Sequence, residues 1–310
     1  MSPREIDRSP EYVAARRVLL DALEALRPHE AAVVLAGAQA VYLRTGPGSL
    51  PIAEFTTDGD LAIDPSRLSD APPLEELMEA AGFELTELQG SPEPGIWQKQ
   101  VTVDGLRITV PVDLIVPTEV APQGGSRGAR LPGHGKRSAR KTGGLEAALV
   151  DNDVMSVAAL DPKDRRTARL RVAGVAALLV AKTHKIADRI DADRAERLED
   201  KDASDVVRLM QAAAPAVVGS SLHGLLADTA AGASTALAVD RFRSLFGNRA
   251  GLGIEMAARA LRGAMPEERV RAICLAYTEA LYEELALEAS PSDGREAARS
   301  DRKPRHRDRR

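Results

Sequence analysis

The chain has 310 residues, 44% hydrophobic but only 3% aromatic, so its one or two domains must be cored by Ala, Leu and Val. Its 42 Lys/Arg against 46 Asp/Glu give a net charge of −4, and residues 293–310 alone hold eight basic and four acidic side chains. The remainder therefore carries −8, which excludes a polyanion binder with a basic body while leaving room for a local basic site. The single cysteine, Cys274, excludes a disulfide framework and a thiolate zinc site. No stretch reaches the roughly 18–20 uninterrupted apolar residues of a membrane span. The opening MSPREIDRSPEY lacks the apolar heart of a secretory signal. These features predict a soluble, cytoplasmic protein with no membrane partner.

Residues 9–27 space Tyr12, Val13, Leu19, Leu20, Leu23 and Leu26 as an amphipathic helix, with Ser9-Pro10 as cap and first turn. AAVVLAG reads as a buried strand ending in Gly37, and AQAVYLRTG as a short helix stopped by Gly46. After the connection GPGSLP, the second half of TTDGDLAID reads as a strand, and PPLEELMEAAG as a helix. FELTEL, IWQKQVTV and LRITVPVDLIVP are strands, the last two joined by the hairpin signal Asp104-Gly105. The interleaving predicts an α/β (α+β) domain on a mixed sheet.

From about Thr118 the composition shifts. PQGGSRGARLPGHGKRSARKTGG carries six Arg/Lys, no acid and many glycines, which predicts a mobile loop or arm over 121–144. From about 170 onward the pattern reads as helix throughout, in five segments ending with ERVRAICLAYTEALYEELAL. The expected organisation is a first domain over 1–160, a helical domain over 161–290 and a disordered basic tail over 291–310.

Asp58 and Asp60 are separated by one residue at the start of a strand, so a period of two turns both to one face. Asp113 lies in the apolar strand PVDLIVP, where an unpaired acid is costly to bury. If its strand lies beside that of Asp60, three carboxylates converge, and hard oxygen donors with few partners favour Mg²⁺ (or Mn²⁺). Gly37-Ala38 opens a helix whose first amides can accept a phosphate. Read singly, Asp58-Gly59 is also a turn signal, and Asp113 could pair with an arginine. Order and spacing favour the joint reading. Farther on, Lys182, Lys185 and Arg189 share one helix face, and Asp202 and Asp205 are three apart, able to anchor either lysine.

The segments GAQAVYLRTG and TTDGDLAID, followed by LLVAKTHKIADR and KDASDVVRL, resemble the AbiEii/MenT-type nucleotidyltransferase toxins of the polymerase-β-like superfamily. The resemblance covers roughly residues 30–210, and departs from the family pattern where Ala38 replaces the usual Ser or Gly. It implies metal-dependent transfer of a nucleoside monophosphate from an NTP to an acceptor hydroxyl. The acceptor it implies is RNA, the 3′ end of tRNA, and it further implies a toxin opposed by a cognate antitoxin. In that scheme Asp58 and Asp60 bind Mg²⁺, one ion holding the triphosphate and one activating the acceptor, and Asp113 completes the second metal site or acts as base. Lys182 contacts the triphosphate, with Lys185 as the competing choice, and Asp202, or failing that Asp205, positions the lysine. Gly37, Ala38, Thr57 and Arg189 complete the nucleotide contacts, while Arg137, Arg140 and Lys141 grip RNA phosphates.

Three rivals stand beside this reading. A small-molecule nucleotidyltransferase of the aminoglycoside-modifying kind would use the same carboxylates. A noncatalytic nucleotide- or RNA-binding protein would suit Ala38, and an antitoxin-like interaction protein would suit the Ala/Leu-rich helical half.

Overall fold

A computed structural model describes residues 9–46, 50, 52–123, 127–191 and 200–289. The basic tail predicted at 291–310 lies outside the described residues, as does most of the GPGSLP connection. The strands are β1 (Val33–Ala36), β2 (Gly59–Ile63), β3 (Glu84–Leu88), β4 (Ser91–Val103), β5 (Leu106–Pro117), β6 (Arg140–Thr142), β7 (Asn152–Ala158) and β8 (Thr167–Ala173). The helices in the first half are α1 (Pro10–Ala25), α2 (Gly37–Thr45), α3 (Leu74–Ala80) and α4 (Glu146–Val150). The second half contributes α5 (Val175–Asp191), α6 (Asp200–Ala212), α7 (Pro215–Ala227), α8 (Gly232–Phe246), α9 (Leu252–Ala260) and α10 (Glu267–Ala289). The result is a mixed α/β sheet followed by a helical region, as the interleaved pattern predicts.

The sheet runs β3-β4-β5-β2-β1-β8-β7, with β6 added alongside β5. Its centre is mixed: β2 is parallel to β5 and antiparallel to β1, while β1 is parallel to β8. The Asp104-Gly105 turn joins β4 to β5 with φ of 50° and 80°, the left-handed pair that a two-residue hairpin demands. Helix α1 begins where Ser9 Oγ accepts from the Tyr12 amide at 3.2 Å, and it packs across β2, β4 and β5. On β2, Gly59 faces Leu19 of α1, so Asp60, one residue on, turns to the opposite face. There α5 crosses, packed on α2, α4, α6 and α8.

Two expectations are corrected. A boundary at 160/161 falls inside the sheet, because β7 and β8 pair from Asn152–Ala173 to Ala158–Thr167, so the helical region starts at Val175. The segment over 121–144 is not a loose arm where it is described. Ala129, Leu131, His134, Ser138 and Ala139 are buried in it. The buried Trp97 indole donates to the Ser138 carbonyl at 2.9 Å, the Gly95 amide to Arg137 O at 2.8 Å, and the Ala129 amide to Ala139 O at 2.9 Å. The His134 ring meets His29 edge-on at 5.3 Å. A few small apolar side chains and backbone hydrogen bonds thus dock a strap whose overall composition is polar.

No single helix among the described residues is long and apolar enough to cross a membrane.

Candidate active site

The sheet register brings the carboxylates together. Asp60 lies opposite Asp113 between the parallel strands β2 and β5, and opposite Ala36 across β1. Register partners on adjacent strands project to the same face, so the two acids are neighbours. Asp58 precedes β2 in a turn held from two sides. Thr56 Oγ1 donates to Asp58 Oδ1 at 2.5 Å, and Gln39 Nε2 donates to the Asp58 carbonyl at 2.9 Å. Gln39 is itself buried and accepts from Arg16 Nε at 2.7 Å. Two buried polar residues, one on each of α1 and α2, therefore fix the backbone that presents Asp58.

Burial, then the charge of Asp58 and that of Asp113, push the Asp60 carboxyl up to about 6, against the opposing pull of Lys185 and Arg140. Burial also raises Asp113, with Arg140 opposing it. The Asp60 carboxylate makes no hydrogen bond or ion pair with a described residue. Asp113 does: Arg140 donates to its Oδ2 at 2.6 Å, and Arg140 also reaches Thr142 Oγ1 at 2.5 Å. Arg140, expected to grip RNA, is thus turned inward onto the third carboxylate.

In front of Asp60 opens a cleft of about 250 Å³, walled by Gly37, Asp60, Arg140, Lys182, Lys185 and Arg189 among others. Gly37 opens α2 at φ +66°, and a Cβ there would stand 1.9 Å from Asp60 Oδ2. Only glycine lets the helix start this close to the carboxylate. The first turn of α2 has no side-chain cap, and the Ala38 methyl is buried in the core. Any phosphate held there would be gripped by backbone amides.

The opposite wall is α5. Lys182, 4% exposed, donates to Asp202 Oδ1 and Asp205 Oδ2, each at 2.7 Å. Burial works against its charge, but the two carboxylates hold the ammonium well above the usual lysine range. Burial likewise disfavours ionised Asp202, and Lys182, Lys185 and Arg189 overcome it, keeping the carboxyl well below its usual range. Arg189 donates to Asp202 Oδ2 at 2.6 Å. Lys185 stands farther off, 3.6 Å from Asp202 Oδ1, with its side chain 39% exposed. The resemblance names Lys182 first for a triphosphate; here α6 covers that lysine and pairs it with two carboxylates, while Lys185, the competing choice, is the one whose field reaches Asp60 and Asp113.

Thr57, expected to contact nucleotide, is exposed, and the neighbouring Thr56 is the threonine that meets Asp58. Arg137 is exposed and Lys141 half-buried on the strap. Sequence reasoning gave no role to Thr56, Gln39, Arg16 or Lys201. Burial lowers Lys201, and Asp205 and Asp58, both within electrostatic reach, oppose that. Its signal was its place beside Asp202 in KDASD; Gln39 and Arg16 had none, because they act through the fold.

Among the described residues no three His, Cys, Asp or Glu side chains are set to hold a metal ion. No family model matches the chain, and no curated protein matches it. One solved structure is similar, the crystal structure of JHP933 from Helicobacter pylori, at 13% identity over 91% of this chain and 96% of that one, with a TM-score of 0.32. Function is therefore read from the cleft itself.

Proposed function

We propose that the protein is a metal-dependent nucleotidyltransferase that moves a nucleoside monophosphate from an NTP to an acceptor hydroxyl, with the 3′ end of tRNA as acceptor. One observation carries the reading. A partly buried carboxylate, Asp60, with two acidic neighbours and no cation bonded to it among the described residues, faces a cleft whose far wall is cationic. Such a group is a poor scaffold element and a good ligand for a divalent ion. Asp58 and Asp60 fit Mg²⁺ or Mn²⁺, which takes a few hard oxygens and completes its shell with water and phosphate. When bound, the ion would neutralise phosphate charge and activate the attacking hydroxyl.

The chain's own residues supply the rest. The uncapped amides at Gly37 and Ala38 receive a phosphate, and Lys185 neutralises charge that develops on the leaving pyrophosphate. Lys182 holds α5 against α6, which sets the depth of the cleft. A volume of about 250 Å³ is below the ~300–1,000 Å³ that encloses a whole drug-sized ligand. The cleft thus suits the triphosphate end, with base and acceptor outside it. Arg137 and Lys141 on the strap are the remaining cations for RNA phosphates, and the toxin assignment with its antitoxin rests on the motif resemblance.

The docked strap favours a second reading, a small-molecule acceptor, since Arg140 is withdrawn from any RNA surface. Incubation with each α-labelled NTP, Mg²⁺ and either total RNA or an aminoglycoside mixture separates the two. Label on RNA supports the first reading and label on the small molecule the second. Label on neither, with NTP bound, identifies a nucleotide-binding protein.

A further inference from the structure

We infer that Arg140 is a built-in cation of the carboxylate cluster and restricts it to a single divalent ion; this rests on the proposed metal site. Of three neighbouring carboxylates, Asp58, Asp60 and Asp113, one is bonded to a guanidinium, with Lys185 farther off, so Asp58 and Asp60 remain as the pair open to a divalent ion. Arg140 is not a wandering surface side chain. Its backbone is strand β6, paired with Ile115 of β5, and its amide lies where a Cβ on Gly95 would stand 2.2 Å away. Gly95, at φ +74°, is thereby required for the strap to seat. From that backbone the guanidinium reaches Asp113 Oδ2 at 2.6 Å and Thr142 Oγ1 at 2.5 Å, with the two ion-paired side chains 28% and 17% exposed.

A second ion on Asp113 would have to bind beside the guanidinium that holds its Oδ2, in a partly dehydrated site where repulsion between two cations is strong. An arginine does not lose its proton at any working pH, so the block is permanent rather than tuned. Asp60, in contrast, has no cation bonded to it among the described residues and stays open to the first ion. Arg140 is thus a positioning residue. It takes the third carboxylate out of the metal site and leaves Asp58 and Asp60 as the pair that binds.

The test is a titration of the full chain with Mn²⁺ alone, free ion counted by electron paramagnetic resonance. The expected stoichiometry is one ion for the parent chain, two for Arg140→Gln and one for Arg140→Lys, which keeps the charge. Two ions in the parent, two in Arg140→Lys or one in Arg140→Gln would overturn the inference while sparing the metal site. No ion bound to the parent chain would overturn both. The parent and the lysine variant keep the test decisive should Arg140→Gln fail to fold.

Discussion

The two walls of the cleft are charged in opposite ways and satisfied to opposite degrees. On the helical wall Lys182 is buried between Asp202 and Asp205, each 2.7 Å away, and Arg189 closes on the remaining Asp202 oxygen. On the sheet wall Asp60 shares its surroundings with Asp58 and Asp113, and no described residue bonds a cation to it. A folded chain keeps like charges together only where something beyond the fold selects them. The Lys182–Asp202–Asp205 cluster on the helical wall is therefore self-satisfied scaffold, and the proposed ligand site is the sheet wall with Lys185 facing it.

If that contrast is right, substitutions on the two walls will diverge. Lys182→Met should be the most damaging, destabilising by about 3–5 kcal/mol, because it leaves two carboxylates buried without a counter-charge. Urea unfolding checks this, and a loss below about 1 kcal/mol would make the triad dispensable. Gly37→Ala should cost about 1–2 kcal/mol through its left-handed backbone alone, and should abolish Mg²⁺-dependent nucleotide binding by driving the Asp60 carboxylate aside.

Asp60→Asn should act in the reverse direction. The Asp60 carboxyl rests at about 6 in the folded chain against 3.8 for an ordinary aspartate, so the folded state binds the proton more tightly. Stability contributed at low pH is then lost as pH rises from about 4 to about 6. Replacing the carboxylate should raise stability at pH 7 by on the order of 1–2 kcal/mol and flatten that pH profile, as thermal melts across the range would register. Lys185→Ala, on an exposed side chain, should shift stability by less than about 0.5 kcal/mol, yet weaken nucleotide binding about tenfold.

Much of this was legible in the chain because strand and turn signals are local. Asp58-x-Asp60, the acid in PVDLIVP and the Asp104-Gly105 hairpin each announce themselves within a few residues. Strands β7 and β8 did not. The first is an edge strand with one buried residue, Val157, and the second runs directly into the apolar start of α5, so its last residues read as the start of that helix. The strap was misjudged on composition, since a handful of buried small residues and the Trp97 and Gly95 contacts outweigh six charges that stay at the surface or pair. Lys182 and Lys185 could not be ranked from spacing, because residues three apart share a helix face. Only the packing of α6 over one of them separates scaffold from ligand contact. The pairing of Asp113 with Arg140 was open as a structural alternative, but its partner lay across a long insertion that no periodicity spans.

The claim that Asp60 belongs to a ligand site and not to the scaffold is tested most directly by calorimetric titration of the parent chain and of Asp60→Asn with each Mg²⁺·NTP. The account expects saturable binding of at least one nucleotide to the parent and at least a tenfold loss, about 1.4 kcal/mol, in a variant that melts no lower than the parent. Equal affinity in the two proteins would contradict it.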